Sequence, residues 1–244
     1  MIPESDVESI NNILASYQIS DHAKEVLARV KLLLMVAPTS VGRNTVIQKL
    51  LETGDYHFLR SDTTRPPRVN NGIPEINGRE YWFRTEAEFI DELKRGEFVE
   101  AALIHNQQLS GINIRELEIA ANDNKIAVTD LETVGAKNIH KLKPDLLAIF
   151  LLPPGFNEWM ERLRDRGFMS GEEKKRRLNS AVHELQEAAT EDFYQFVVND
   201  KLEEAVRHVI EIVRTGHSSA ETQAIGRELS VNLRQTLLSQ SDLK

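Results

Sequence analysis

Cysteine is absent from the 244 residues, which excludes disulfides, thiol catalysis, cysteine-held iron–sulfur clusters and thiolate zinc sites, and makes a reducing cytoplasm the simplest home. Glycine and proline are scarce, 12 and 8 residues, and with 41% hydrophobic and 28% charged residues the composition is that of an ordinary globular chain rather than a disordered or collagen-like one. Long apolar runs are missing too. The longest, Leu146–Pro154, falls well short of the ~20 residues a bilayer-spanning helix needs, so no membrane span is expected. The opening Met-Ile-Pro-Glu-Ser-Asp has no basic region followed by an apolar stretch, so no secretory leader is expected. Positive charge is in deficit: 30 Lys and Arg against 38 Asp and Glu give −8, which argues against general nucleic-acid binding and makes any anion site local. The seven histidines contain no H-x-x-x-H or H-E-x-x-H pair, and no G-x-S-x-G elbow is present, so a histidine metal site and a serine-hydrolase site both lack support.

What is present has the alternation of an α/β domain. The length suits one large domain, or one with a small appendage. Val7, Ile10, Ile13, Leu14, Leu27 and Val30 have helical spacing and predict one or two amphipathic helices across residues 4–30, with Ser5 or Asp6 as N-cap. Lys31–Val36 and Leu146–Leu152 are almost wholly apolar, the pattern of strands buried on both faces in a parallel sheet. Further strands are expected over Tyr56–Ser61, Tyr81–Arg84, Phe98–Ile104, Lys125–Thr129 and Phe196–Asn199, with a polar excursion over Arg65–Gly78. Helices are expected over Asn44–Leu51, over Glu86–Arg95 closed by Gly96, and around Asn113–Asn122. Others are expected from Phe156 to Gly167, around Leu178–Leu185, over Leu202–Val213 and within the stretch after Gly216.

The turn after the first strand reads Ala37-Pro38-Thr39-Ser40-Val41-Gly42-Arg43-Asn44 and leads into a helix. A helix N-terminus at the carboxyl end of a parallel strand favours an anion. Against the phosphate-loop pattern G-x-x-x-x-G-K-[ST], Gly42 is kept, Ala37 replaces the first glycine, Arg43 the lysine and Asn44 the hydroxyl residue, with Thr45 one place further on. On this segment alone, an altered phosphate loop and an ordinary strand-to-helix turn are both open. Arg43 keeps the charge in a planar fork rather than a compact ammonium, and Asn44 offers an amide oxygen to magnesium.

Three later segments bear on that choice: Ser61-Asp62-Thr63-Thr64-Arg65-Pro66-Pro67-Arg68, then Gly78-Arg79-Glu80-Tyr81-Trp82-Phe83, then Gly96-Glu97-Phe98-Val99-Glu100. In order and spacing they resemble the guanylate kinase family patterns S-x-T-T-R-x-x-R, G-x-(D/E)-Y-x-F and G-x-F-(I/L/V)-E. Asp130-Leu131-Glu132, Leu152-Pro153-Pro154, Arg162 to Gly167, Arg177-Leu178 and Val198-Asn199-Asp200 resemble its later motifs, so the likeness runs from about Leu32 to Val213.

The resemblance implies a P-loop NTPase-type parallel sheet flanked by helices, with a small GMP-binding insertion and a helical lid, to which the apolar spacing of the two ends adds N- and C-terminal helices. The expected map is a helical extension over 1–30, a guanylate kinase-like domain over 31–215 (acceptor part about 60–110, lid about 155–190), and a C-terminal helical extension over 216–244. By resemblance, Thr39, Ser40, Val41, Gly42, Arg43, Asn44 and Thr45 hold the ATP phosphates, and Ser61, Arg65, Arg68, Tyr81, Glu100 and Glu132 hold GMP. Arg65, Arg68 and Tyr81 would hold its phosphate; Glu100 would accept two hydrogen bonds from guanine that adenine cannot supply. Arg43, Arg166, Arg177 and Asp130 would serve catalysis, Asn199 would lie near the donor base, and Asn44 and Asp130, the latter through water, would hold magnesium. Arg164 and Arg176 also flank the lid break, where a solvated helix face is the competing reading.

The chain departs from the pattern at Leu109-Ser110-Gly111, where the family has Tyr-Gly-Ser/Thr, and at Glu132, where it has aspartate. The implied activity is transfer of the γ-phosphoryl of ATP, with Mg2+, to GMP. Against it stand a catalytically weak or silent nucleotide-binding or protein-interaction module and a kinase for another phosphorylated small molecule. The kinase is placed first because Arg43 keeps the charge and the lid arginines remain. The sequence leaves the oligomeric state open.

Overall fold

In the computed structural model, which describes residues 4–70, 72–104, 106–167 and 169–240, the chain forms two compact units. The first draws on residues up to 31, 56–129 and 138–144, and the second on 32–55, 130–137 and 145 onward.

The second unit holds the most apolar strands. β1 (Leu32–Val36), β10 (Leu147–Leu152) and β11 (Tyr194–Val198) run parallel, with Met35 beside Ile149 and Phe150 beside Phe196. All five residues of β1 are buried, as an unbroken apolar run requires when both faces of a strand are covered. Among the described residues, five helices lie wholly in this unit: α3 (Arg43–Glu52), α7 (Phe156–Asp165), α8 (Gly171–Thr190), α9 (Leu202–Thr215) and α10 (Ala220–Ser239). α3 packs on β1 and α9, while α10 packs on α8, β10 and β11. Gly226 lets α10 come close, since a Cβ there would lie 2.2 Å from Cβ of Phe196.

The first unit begins with α1 (Glu4–Ala15) and α2 (Asp21–Arg29), the latter capped by Ser20, whose side chain accepts from the Ala23 amide. β2 (Tyr56–Phe58) pairs in parallel with β9 (Ile126–Asp130). A four-stranded sheet follows the order β6 (Trp82–Phe83), β3 (Asp62–Thr63), β8 (Gln108–Asn113), β7 (Phe98–Ile104). β4 (Val69–Asn70) and β5 (Ile73–Pro74) form a small hairpin within the polar excursion. α4 (Glu86–Lys94) starts in a capping box: the Thr85 hydroxyl accepts from the Glu88 amide at 3.2 Å, and the Glu88 carboxylate accepts from the Thr85 amide at 2.8 Å. α5 (Ile114–Asn122) follows β8 directly. Ile10, Phe89, Leu93, Phe98 and Leu109 form the core beneath α1, with Phe89 and Phe98 stacked at 4.2 Å.

The expected parallel α/β sheet with flanking helices is present. The short strands β3, β4 and β5 fall outside the expected ones, and two longer elements also depart from the sequence reading. β8 was not anticipated as a strand, because Gln108–Asn113 mixes polar residues, glycine and two lone aliphatics; its pairing to β7 makes this sheet largely antiparallel. α6 (Thr133–Leu142) was also missed, since its Gly135 and exposed Val134 blur the apolar stripe. Gly96 follows the C-cap of α4, Arg95, in the left-handed region at φ +72°. Ser5 lies inside α1, with its side chain outside the described set, and Phe168, in the break between α7 and α8, lies outside the described residues.

Candidate functional site

In the second unit, residues 37–42 connect β1 to α3 and are tied down from three sides. Ser40 has φ +63° and Gly42 φ +97°, so this short turn makes two left-handed steps before the helix begins. A Cβ on Gly42 would lie 2.6 Å from Nδ2 of Asn199, so glycine is required both by conformation and by space. The same Asn199 amide donates to the Val41 carbonyl at 2.8 Å. The Arg162 guanidinium donates to that carbonyl at 3.4 Å and to the Asn199 carbonyl at 2.7 Å, and the buried Trp159 indole donates to the Thr39 carbonyl at 2.8 Å. Neither Trp159 nor Arg162 is singled out for this role from sequence, where Trp159 reads as a helix aromatic and Arg162 as the start of a motif-like segment. Asn199, expected near the donor base, spends its amide on the loop.

The arginines after β10 divide. Arg177 donates to the Thr39 hydroxyl at 3.2 Å while holding Glu173 at 2.7 Å, and Arg166 reaches the same hydroxyl at 3.5 Å. Arg164 is 74% exposed and lies 4.0 Å from Glu161, and Arg176 is exposed as well, the solvated-face reading for both. Arg43 opens α3, and its guanidinium donates to Asp130 at 2.6 Å and to the Leu131 carbonyl at 3.3 Å. Asn44 and Thr45 are exposed in the first turn of that helix, and Glu132 is exposed two residues beyond Asp130.

Glu184 of α8 has a buried Oε2 with no partner, and burial, then the Glu132 charge, push its carboxyl up to about 7 against the pull of Arg43. The Ser40 hydroxyl is likewise buried without a partner. Oxygen donors are what magnesium takes, and it usually keeps several waters beside one or two carboxylates and substrate phosphates. The Asp130 carboxylate, 30% exposed although it holds Arg43, and the exposed Asn44 amide each offer an oxygen of that kind, without a dedicated protein cage among the described residues.

In the first unit, the structure gathers Arg65, Arg68 and Tyr81. The Arg65 fork donates to both oxygens of Glu75, at 2.5 and 2.9 Å, and lies 4.7 Å from the Tyr81 ring centroid and 5.6 Å from that of Phe83. The Arg68 amide donates to the same Glu75 carboxylate at 2.8 Å, while the Arg68 residue itself is exposed. The Arg65 bond, opposed by desolvation and helped by the Arg68 amide, draws the Glu75 carboxyl down to about 2. Glu75 is the residue the sequence reading missed: a carboxylate in a polar loop has no periodicity to mark it.

Ser61 precedes β3, and its carbonyl accepts from the Trp82 amide at 3.0 Å. Glu100 is half-buried on β7, in register with Ile112 of β8. Ser110 donates to the Asp62 carbonyl at 3.1 Å, and Leu109 is fully buried, so that divergent segment is occupied with holding the sheet.

Known proteins resemble this chain over most of its length. A family model described as Guanylate kinase matches residues 29–216. The chain is similar to the guanylate kinase of Corynebacterium efficiens, 35% identical over 72% of this chain and 90% of that protein. It is also similar to that of Cutibacterium acnes, 37% identical over 72% and 86%. Among solved structures it is similar to guanylate kinase from Anaplasma phagocytophilum, with a TM-score of 0.57 and 26% identity over 83% of this chain and 94% of that one.

Proposed function

Because the chain belongs to the guanylate kinase family, we propose that it transfers the γ-phosphoryl group of ATP to GMP, giving ADP and GDP. Such a transfer asks for positioning and charge neutralisation rather than covalent work by the protein. The observation that carries this reading over a silent binding module is the convergence of Arg166 and Arg177 on Thr39 of the turn before α3. An arginine brought to transferring phosphates is worth roughly 10³–10⁵ in rate, and a decayed loop would have no use for two.

In this reading Thr39 to Thr45 cradle the ATP phosphates, with Arg43 in the place of the usual lysine. Ser61, Arg65, Arg68, Tyr81, Glu100 and Glu132 take GMP: the arginines and Tyr81 bind its phosphate, the carboxylates and Ser61 its base. Asn199 serves the donor site by bracing the turn. Asp130 and Asn44 would hold magnesium, which supplies charge neutralisation at the donor phosphates when bound. The acceptor part spans about 60–110 and the lid about 155–190, between helical extensions over 1–30 and 216–244. A cytoplasmic location suits these substrates, and among the described residues no helix is long and apolar enough to cross a membrane.

The reading is tested by coupled measurement of ADP release with Mg–ATP and a panel of acceptors. GMP should sustain turnover and AMP should not, and Arg43→Ala should lower the rate roughly 10²–10³-fold, the loss of one preorganised donor. ADP release that ignores GMP contradicts the reading.

A further inference from the structure

Glu116, on α5, has a side chain that is 0% exposed. An ionised carboxylate in such a place is costly unless donors saturate it. Here His57 Nε2 lies at 3.0 Å, the Arg60 backbone N–H donates at 3.0 Å, and the Trp82 indole N–H donates to the other oxygen at 2.8 Å. The Arg60 guanidinium stands 3.6 Å away. Burial alone would raise the Glu116 carboxyl, but the bonds from His57, Arg60 and Trp82 outweigh it and hold the group below its ordinary range.

Each of two donors adjoins a residue of the acceptor site. Arg60 precedes Ser61, and Trp82 follows Tyr81. The segments they belong to are zipped together: the Trp82 amide donates to the Ser61 carbonyl at 3.0 Å, and β3 and β6 pair in parallel with Asp62 beside Trp82. The Arg115 guanidinium lies over the Trp82 ring, 5.2 Å from its centroid, and donates to Asp62 at 2.8 Å. From sequence, Glu116 reads as one more helix charge between Arg115 and Glu118.

We propose that Glu116 is a positioning residue for the acceptor nucleotide: from a third element it clamps Arg60 and Trp82, and so sets the placement of Ser61 and Tyr81 against GMP. The inference rests on the acceptor site proposed above. An apolar side chain of similar volume would fill the space but would direct neither donor.

The test is calorimetric GMP binding by the full chain and its Glu116→Gln, Trp82→Phe, Tyr81→Phe and Glu116→Gln/Tyr81→Phe variants, with ATP binding alongside. Gln keeps the shape but turns an amide NH2 toward one of the donors. Expected are a roughly tenfold weaker GMP affinity for Glu116→Gln, since small misplacements at a site are costly, with ATP affinity changed less than about twofold. Trp82→Phe should show part of the same loss, and reads the clamp even where the Glu116 variant folds poorly. The loss caused by Tyr81→Phe should shrink in the Glu116→Gln background, the non-additivity of residues acting as one unit.

GMP affinity unchanged in both single clamp variants, or a Tyr81→Phe loss that simply adds, overturns the proposal. So does a lowered melting temperature with unaltered GMP affinity. Absence of GMP binding by the wild-type protein overturns the acceptor assignment, and this proposal with it, whereas wild-type binding with unaffected variants overturns this proposal alone.

Discussion

Arg65 is gripped by a carboxylate and two rings, and its removal has two separable consequences. Arg65→Ala takes away the fork proposed for the GMP phosphate, so calorimetry should register a GMP affinity at least ~100-fold weaker, given charge-assisted bonds of roughly 1.5–3 kcal/mol each. It also leaves Glu75, only 8% exposed, with the Arg68 amide but no guanidinium, which should lower unfolding free energy by about 2–4 kcal/mol in urea. The pair has its own pH window. The Glu75 carboxyl sits at about 2 in the folded chain against an ordinary 4.5, so its stabilisation is complete above about 4.5 and is lost as pH falls toward 2. Arg65→Ala should shrink that acid limb to the part held by Arg68, and a variant with the wild-type acid profile would show that the ion pair does not stabilise the fold.

Glu184 has the opposite sign. Its folded value, about 7, lies above the ordinary 4.5, so the folded state binds the extra proton and stability falls as pH rises from about 4.5 through 7. Glu184→Gln should therefore melt higher than wild type at pH 8, by an amount on the order of 1–3 kcal/mol, with the gap closing below pH 4.5. An equal gap at both pH values would show that the buried carboxyl is not the cause. Both acids are invisible to pattern reading. Neither belongs to a spacing motif, and what singles them out is the environment that the fold builds around them.

At the scale of elements, the turn between β1 and α3 is the part whose sequence looked damaged and whose structure is braced. Gly42→Ala must place a Cβ in the left-handed region, at about 1–2 kcal/mol, and against the Asn199 amide that holds the Val41 carbonyl. We expect ATP affinity at least ~tenfold weaker with GMP affinity unchanged, read by calorimetry with each nucleotide. An unchanged ATP affinity would remove the turn from the donor site. The apolar strands β1 and β10 were legible because burial on both faces leaves an unbroken run of Leu, Ile, Val, Met and Phe. β8 and α6 were not, because their partners and not their own pattern make them a strand and a helix: β8 exists through its ladder with β7. The braces Trp159 and Arg162 were illegible for a related reason, since their hydrogen bonds go to backbone carbonyls more than a hundred residues away in the chain, except for the nearer Asn199 and Asp200.

Across the whole molecule, an acidic chain of net charge −8 is asked to bind two polyanions, so its positive charge must be concentrated where phosphate goes. In the proposed reading Arg65 and Arg68 in one unit, and Arg43, Arg166 and Arg177 in the other, would meet that demand, while Arg164 is solvated. The family was legible from short ordered motifs spread from Leu32 to Val213, and the matched span of 29–216 agrees with it. The most direct measurement follows label from ATP carrying a radioactive γ-phosphate, with Mg2+ and GMP, into the nucleotide product. The account predicts label in GDP, produced at a rate that collapses in Arg65→Ala and Arg43→Ala. GMP bound by the wild-type protein with no label reaching GDP would contradict it.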